Sequence, residues 1–170
     1  MGESTISFDD VPQDQRAREP ERTLQLPPRL TLEVMLDTPL ADESSAIGDP
    51  VTAILKKPVK LGSGLVAPKG AVLHGRITDL RKSQTQMAGW AVGLTFFEMG
   101  WQNTHAQLRA RLLETPTLSM RASISSQYRA ALREIARQNG IFFVPGVRLK
   151  VPRGFLMYWE TEPLEAEDKQ

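Results

Sequence analysis

Leu26-Pro27-Pro28-Arg29-Leu30-Thr31-Leu32 begins with an apolar residue, a proline and turn-forming or basic residues, then runs into alternating apolar positions. The pattern returns as Ala67-Pro68-Lys69-Gly70-Ala71-Val72-Leu73 and as Val151-Pro152-Arg153-Gly154-Phe155-Leu156-Met157. Proline fixes φ near −65°, and a glycine two residues on permits the positive φ of a tight turn. Each copy is therefore a corner that launches a β-strand. Three such corners predict a chain that keeps turning back into one sheet or barrel.

The stretches between the corners have strand texture. Leu30, Leu32, Val34 and Leu36 share one parity, with Thr31, Glu33 and Met35 between them, as in a half-buried strand. Ile47-Gly48-Asp49-Pro50 reads as a turn before a strand at Val51 to Leu55. Gly62-Ser63-Gly64 reads as a hairpin tip, and a long strand is expected from Ala71 to about Lys82. Trp90 to Met99 is apolar on both parities, which predicts a strand covered on both faces. A hairpin at Met99-Gly100-Trp101 should lead into Gln102 to Leu113, where Ala106, Leu108, Ala110 and Leu112 point one way and Arg109 and Arg111 the other. Further strands are expected at Ile141 to Val144, Val147 to Val151 and Phe155 to Trp159.

One region breaks the alternation. Ile124, Tyr128, Ala131, Leu132 and Ile135 match a single helix face. A serine among Ser123, Ser125 and Ser126 supplies a start, and Asn139-Gly140 a stop. Arg129, Arg133 and Arg137 form a basic stripe beside the apolar one. The fold expectation is mainly all-β: a small barrel or sandwich of roughly seven to nine strands with one amphipathic helix near 123–138. Residues 1–25 read as a flexible leader, 26–160 as a single β-rich domain and 161–170 as an acidic flexible tail.

Composition narrows the function. The 170 residues are 41% hydrophobic, enough for a core, and twelve glycines and twelve prolines fall mostly between apolar runs. With no cysteine, disulfides, thiolate nucleophiles and cysteine-ligated metals are excluded. No apolar run approaches the ~20 residues of a membrane-spanning helix. The polar start Met1-Gly2-Glu3-Ser4-Thr5-Ile6 lacks the pattern of a signal peptide. The expected location is periplasmic or envelope-associated if an export signal has been removed, and cytoplasmic otherwise.

Charge is segregated. From 50 to 153, sixteen Lys or Arg stand against four Asp or Glu, while the acids Glu160, Glu162, Glu165, Glu167 and Asp168 crowd the end. A basic body with an acidic end can attract and steer an anionic partner. His74 and His105 are the only histidines, and neither has a second ligand at metal-binding spacing. Gly62-Ser63-Gly64 is too short for a nucleophile elbow. Asp49 is read as a turn-stabilising aspartate in preference to a lone acid–base group. No catalytic, cofactor or metal site is expected, and the reading leans away from an enzyme. The candidate interaction surface is Arg109 and Arg111 on a strand, Arg129, Arg133 and Arg137 on the helix, and Trp101 as the exposed aromatic.

Several of these segments resemble a known layout. Leu26-Pro27-Pro28-Arg29-Leu30, Ile47-Gly48-Asp49-Pro50-Val51, Leu65-Val66-Ala67-Pro68-Lys69-Gly70 and Leu73-His74-Gly75-Arg76-Ile77 resemble the β-barrel domain of TrbI-like conjugal transfer and type IV secretion proteins. They also resemble a broader group of uncharacterised bacterial exported β-domain proteins. Lys150-Val151-Pro152-Arg153-Gly154-Phe155-Leu156-Met157-Tyr158-Trp159 is similar to the final strand of that group. The chain departs from the secretion family in lacking a long proline-rich arm and an apolar helical hairpin. The resemblance implies a non-catalytic binding or assembly module of the bacterial cell envelope, with a protein partner or self-association. The alternative is a soluble binder of a polyanion or nucleic acid through the basic 50–153 region, or of an anionic surface.

Overall fold

The structure is a computed structural model that describes residues 21–62, 64–83, 88–116 and 139–164. Thirteen strands occur among them: β1 (Arg22–Gln25), β2 (Thr31–Leu36), β3 (Leu40–Ala41), β4 (Pro50–Leu55), β5 (Val59–Leu61), β6 (Gly64–Ala67), β7 (Val72–Lys82), β8 (Gly89–Trp101), β9 (Thr104–Gln107), β10 (Ala110–Glu114), β11 (Ile141–Pro145), β12 (Lys150–Val151) and β13 (Leu156–Thr161). The all-β expectation holds, with more strands than the alternation predicted. The helix expected near 123–138 lies outside the described residues. β1 falls inside the stretch read as leader and pairs in parallel with β9.

Nine strands form one sheet in the order β1-β9-β8-β7-β4-β2-β13-β10, with β11 on β8; β12-β3 and the β5-β6 hairpin stand apart. The sheet curls into a half-barrel, and connectivity shows why. β9 and β10 lie near opposite ends of the order, yet only Leu108 and Arg109 join them. The segment 104–114 starts on β8 and finishes on β13, and Leu108 N–H still donates to Phe97 C=O (3.0 Å) as the chain crosses over. The hairpin turn before it falls at Gln102-Asn103, with Gln102 at φ +49°, so β8 runs on through Trp101 past the expected corner.

Register places the core inside the curl. Leu36, Ala53, Leu73, Met99 and Ala106 are successive cross-strand partners from β2 to β9, and all are buried. Leu112, Trp159 and Leu32 make a second inward row on β10, β13 and β2. Trp159 is completely buried and meets Phe96 edge to face, with ring centroids 5.1 Å apart. A slip of one residue would turn every one of these side chains outward, so burial of the row fixes the pairing.

The three proline corners do more than start strands. At the second, Gly70 N–H donates to Leu55 C=O (2.8 Å) and Leu55 N–H donates to Ala71 C=O (2.8 Å). The corner thus grips the last residue of β4. At the third, Gly154 N–H donates to Leu36 C=O (2.7 Å) and Leu36 N–H to Phe155 C=O (2.9 Å), gripping the end of β2. At the first, Arg29 N–H donates to Thr161 C=O (2.8 Å) and Thr161 N–H to Leu30 C=O (2.9 Å), gripping the end of β13. β2 and β13 are therefore reciprocal: each is launched by the corner that ties down the other's end. Ile47-Gly48-Asp49 makes a fourth grip without a leading proline, on Ile77 of β7.

The position after the corner's second residue has positive φ in every copy: +66° at Arg29, +89° at Gly70 and +88° at Gly154. Open space surrounds Gly70 and Gly154, so glycine is there for its backbone and not for lack of room. The first corner differs in one more respect. Ala71 and Phe155 close their turns by donating to Pro68 and Pro152 (3.2 Å each). Leu30 N–H instead donates to Thr161 Oγ1 (2.8 Å), and that hydroxyl donates to Pro27 C=O (2.7 Å). The buried Thr161 side chain replaces the direct turn bond. Thr161 had been read as the start of the acidic tail.

Beyond the corners, one part of the sheet leaves the barrel. β4 pairs with β7 only from Val72 to Arg76, whereas β7 continues to Lys82 and β8 begins at Gly89. Past Ile77 the sheet is three strands wide among the described residues, β7-β8-β11, and this arm stays packed on the core through Val92, Phe142 and Val144.

Candidate interaction surface

The strand arginines of the expected surface are already occupied. β10 pairs with β13, which brings Arg111 Nη2 to 2.8 Å from Glu160 Oε1 and Arg109 Nε to 3.4 Å from Glu162 Oε2. Glu162 N–H also donates to Arg109 C=O (2.7 Å). The charge segregation seen along the sequence is thus partly offset in space, because the first acids of the C-terminal run lie across the ladder from the basic strand. Arg129, Arg133 and Arg137 lie outside the described residues. Trp101 is half-buried and packs against the core, so it is not an exposed aromatic.

Other cations are paired in the same way. Lys56 and Lys57 approach Glu33 (3.5 and 2.8 Å), Arg81 grips Asp79 with two hydrogen bonds, Arg153 meets Asp37 (2.8 Å), and Arg148 joins Asp42 and Glu43. Glu33 is the one buried acid among the described residues, on the outer side of β2 opposite Tyr158. The Lys57 ammonium hydrogen-bonded to it holds its carboxyl below the usual range and more than offsets the opposing effect of burial. Glu33 in turn raises the Lys57 amine.

The two histidines come together around one carboxylate. His105 Nδ1 lies 3.0 Å from Glu98 Oε1, and His74 stands across β7–β8 from the same glutamate. This trio is on the outer face, and among the described residues no group of three or more His, Asp or Glu is arranged to hold a metal ion. The Asp49 carboxylate accepts from Ala46 N–H (2.9 Å) and closes its own turn. The aspartate is a corner residue, as its sequence setting implied.

Among the described residues the exposed aromatics are Phe97 and Phe143. Phe97 is extruded on the outer face at a bulge between β7 and β8, with the Arg76 guanidinium 5.3 Å from its ring centre. Phe143 is 55% exposed on β11, and Val147, just after the Pro145-Gly146 turn, is 64% exposed. Trp90 anchors that turn by donating its indole N–H to Val147 C=O (3.2 Å). On the other face of β11, Phe142 is buried and stacks on Phe155 at 5.5 Å. Four consecutive apolar residues, Ile141 to Val144, carry no parity signal, so alternation could not say which of the two phenylalanines faces out.

The arm's two edges differ sharply. The edge of β7 beyond Ile77 holds Asp79, Arg81 and Lys82, charges of the kind that discourage strand addition. The edge of β11 holds Ile141, Phe143 and Pro145 and no charge. Which groups are free there follows from the bonds to β8. Leu94 N–H donates to Gly140 C=O (3.1 Å), and Gly146 N–H donates to Ala88 C=O (3.0 Å). Even-numbered residues of β11 therefore face β8, and the backbones of Ile141, Phe143 and Pro145 face away. At the head of the strand, Gly140 (φ +69°) must be glycine on two counts: a Cβ there would collide with the Leu94 carbonyl and press on the Trp159 ring.

No family model matches this chain, and no curated protein matches it. Among solved structures there is a likeness to ComB10 of the Com type IV secretion system of Helicobacter pylori, with a TM-score of 0.42 and 10% identity over 84% of this chain and 92% of that one.

Proposed function

We propose that this protein is a non-catalytic binding or assembly module of the bacterial cell envelope that works through strand edges and exposed apolar side chains. One observation carries the reading: the arm β7-β8-β11 ends in an uncharged edge, unpaired among the described residues and flanked by exposed Phe143 and Val147. A rigid barrel with closed corners would serve as the mount, and the arm as the part presented to a protein partner. Placement in the envelope is supported by the resemblance of the corner motifs to TrbI-like barrel domains.

The polyanion reading is weaker. Its basic strand is neutralised by Glu160 and Glu162, and Lys56, Lys57, Arg81, Arg148 and Arg153 are likewise paired within the chain. Binding driven by phosphate neutralisation would fall steeply with added salt. We expect no retention on heparin at physiological ionic strength.

The test is photo-crosslinking in the native host, with a photoreactive residue at position 143 and a control at the exposed outer-face position His74. The proposal expects protein adducts from 143 alone, recovered with envelope fractions. Equal labelling at both sites, or adducts confined to the cytosol, would refute it.

A further inference from the structure

The edge of β11 that no other described strand pairs is complementary to itself. Its outward groups are the N–H and C=O of Ile141 and Phe143 and the C=O of Pro145, which has no N–H to offer. A second β11 laid antiparallel, with Phe143 opposite Phe143, matches each available donor with an acceptor. Phe143 N–H would donate to Phe143 C=O of the second copy, and Ile141 N–H to its Pro145 C=O, each bond occurring twice by symmetry. The missing proline donor then leaves only the outermost carbonyl of Ile141 open to water.

Side chains agree with the backbone. Direct cross-strand partners point to the same face, so the two exposed phenylalanine rings would meet across the symmetry axis, where an aromatic pair is favourable. From Asn139 to Val147 the chain carries no charge, so like charges do not face each other across the axis. The arm's opposite edge, with Asp79, Arg81 and Lys82, has no such match. β4 pairs with β7 on the far side of the arm from β11, so it does not lie along this edge.

We propose that β11 is the contact edge of a symmetric dimer of this protein, joining two arms into one six-stranded sheet, β7-β8-β11 continued by the second copy's β11-β8-β7. The proposal rests on the assembly-module reading and names the partner as a second copy.

The absence of cysteine gives a clean test on the full chain. Partners in a hydrogen-bonded antiparallel pair have Cα atoms about 5.5 Å apart, within disulfide range. Phe143→Cys should therefore give a disulfide-linked dimer under mild oxidation. Phe97→Cys, also at an exposed phenylalanine, should give no disulfide-linked dimer. Sedimentation of the unmodified chain should show a monomer–dimer equilibrium, and Phe143→Lys should weaken it by about ten-fold or more while leaving the urea midpoint unchanged. A monomer at all accessible concentrations, or cross-linking no faster at 143 than at 97, would overturn the proposal. Self-association that ignores Phe143→Lys would overturn this edge while leaving the assembly reading intact. A dimer broken by Phe143→Lys, together with host crosslinks at position 143 confined to the cytosol, would uphold the dimer and remove the envelope reading.

Discussion

The barrel wall and the arm are made from the same strands, β7 and β8, yet they treat the backbone in opposite ways. In the wall, strand ends are gripped by a corner whose two amide groups complete the ladder, as at Leu36, Leu55 and Thr161, and a further corner grips Ile77 within β7. In the arm, β7 loses its β4 partner after Arg76, and among the described residues β11 has a partner on one side only. Gripped strand ends leave few free backbone groups, and an open edge invites strand addition. The difference marks the outer edge of the arm as available to a partner, while its inner face, with Val92, Phe142 and Val144, belongs to the core.

Core and arm side chains should respond very differently to truncation. Trp159→Ala removes the largest fully buried side chain and should cost about 3–5 kcal/mol in urea unfolding. Phe143→Ala on the arm should change stability by no more than about 0.5 kcal/mol. Similar losses at both sites would mean that the Phe143 side chain is part of the core.

The corner grips come next in size. Thr161→Val keeps the shape but removes the hydroxyl between Leu30 N–H and Pro27 C=O, leaving two polar groups unpaired at a cost of about 1–3 kcal/mol. Thr161→Ser should recover most of it, and a valine that unfolds like wild type would refute the bridge. Smaller effects are expected from backbone conformation alone. Gly70→Ala and Gly154→Ala each force a side chain into positive φ and should cost about 1–2 kcal/mol with no steric clash. Arg29→Gly, at the equivalent position of the first corner, should be neutral or stabilising by up to about 1 kcal/mol.

The smallest effect is electrostatic. The folded Glu33 carboxyl lies below its ordinary value of about 4.5, so its contribution to stability is complete above that pH and lost as pH falls through the lower folded value. The raised Lys57 amine works in the opposite sense, contributing fully below its ordinary value of about 10.5 and losing that contribution at higher pH. In Glu33→Gln, the acid limb of a stability–pH profile should become shallower. An unchanged limb would mean that the ion pair adds nothing to folding.

Local chemistry made the corners legible in sequence, because proline and glycine set φ wherever they stand. What each corner grips was not legible, since Leu30 and its hydroxyl partner Thr161 are 131 residues apart. The alternation of Ala106, Leu108, Ala110 and Leu112 read as a single strand, since its parity runs unbroken through the point where the chain leaves β8 for β13. The pairing of Arg109 and Arg111 was not legible for a related reason. Charge along the sequence says nothing of the strand that will lie alongside, and Glu160 and Glu162 lie there. Phe143 lacked a signal because its neighbours are all apolar, whereas the charges of β7 and the lack of any in β11 were visible from the start.

Amide hydrogen exchange, followed residue by residue in protein too dilute to self-associate, tests the contrast between gripped corners and open edge most directly. The amides of Gly70 and Gly154, with those of Phe142 and Val144, should exchange slowly, while the amides of Ile141 and Phe143 exchange at nearly the rate of an unfolded chain. Slow exchange at Ile141 and Phe143 under those conditions, or fast exchange at Gly70 and Gly154, would contradict it.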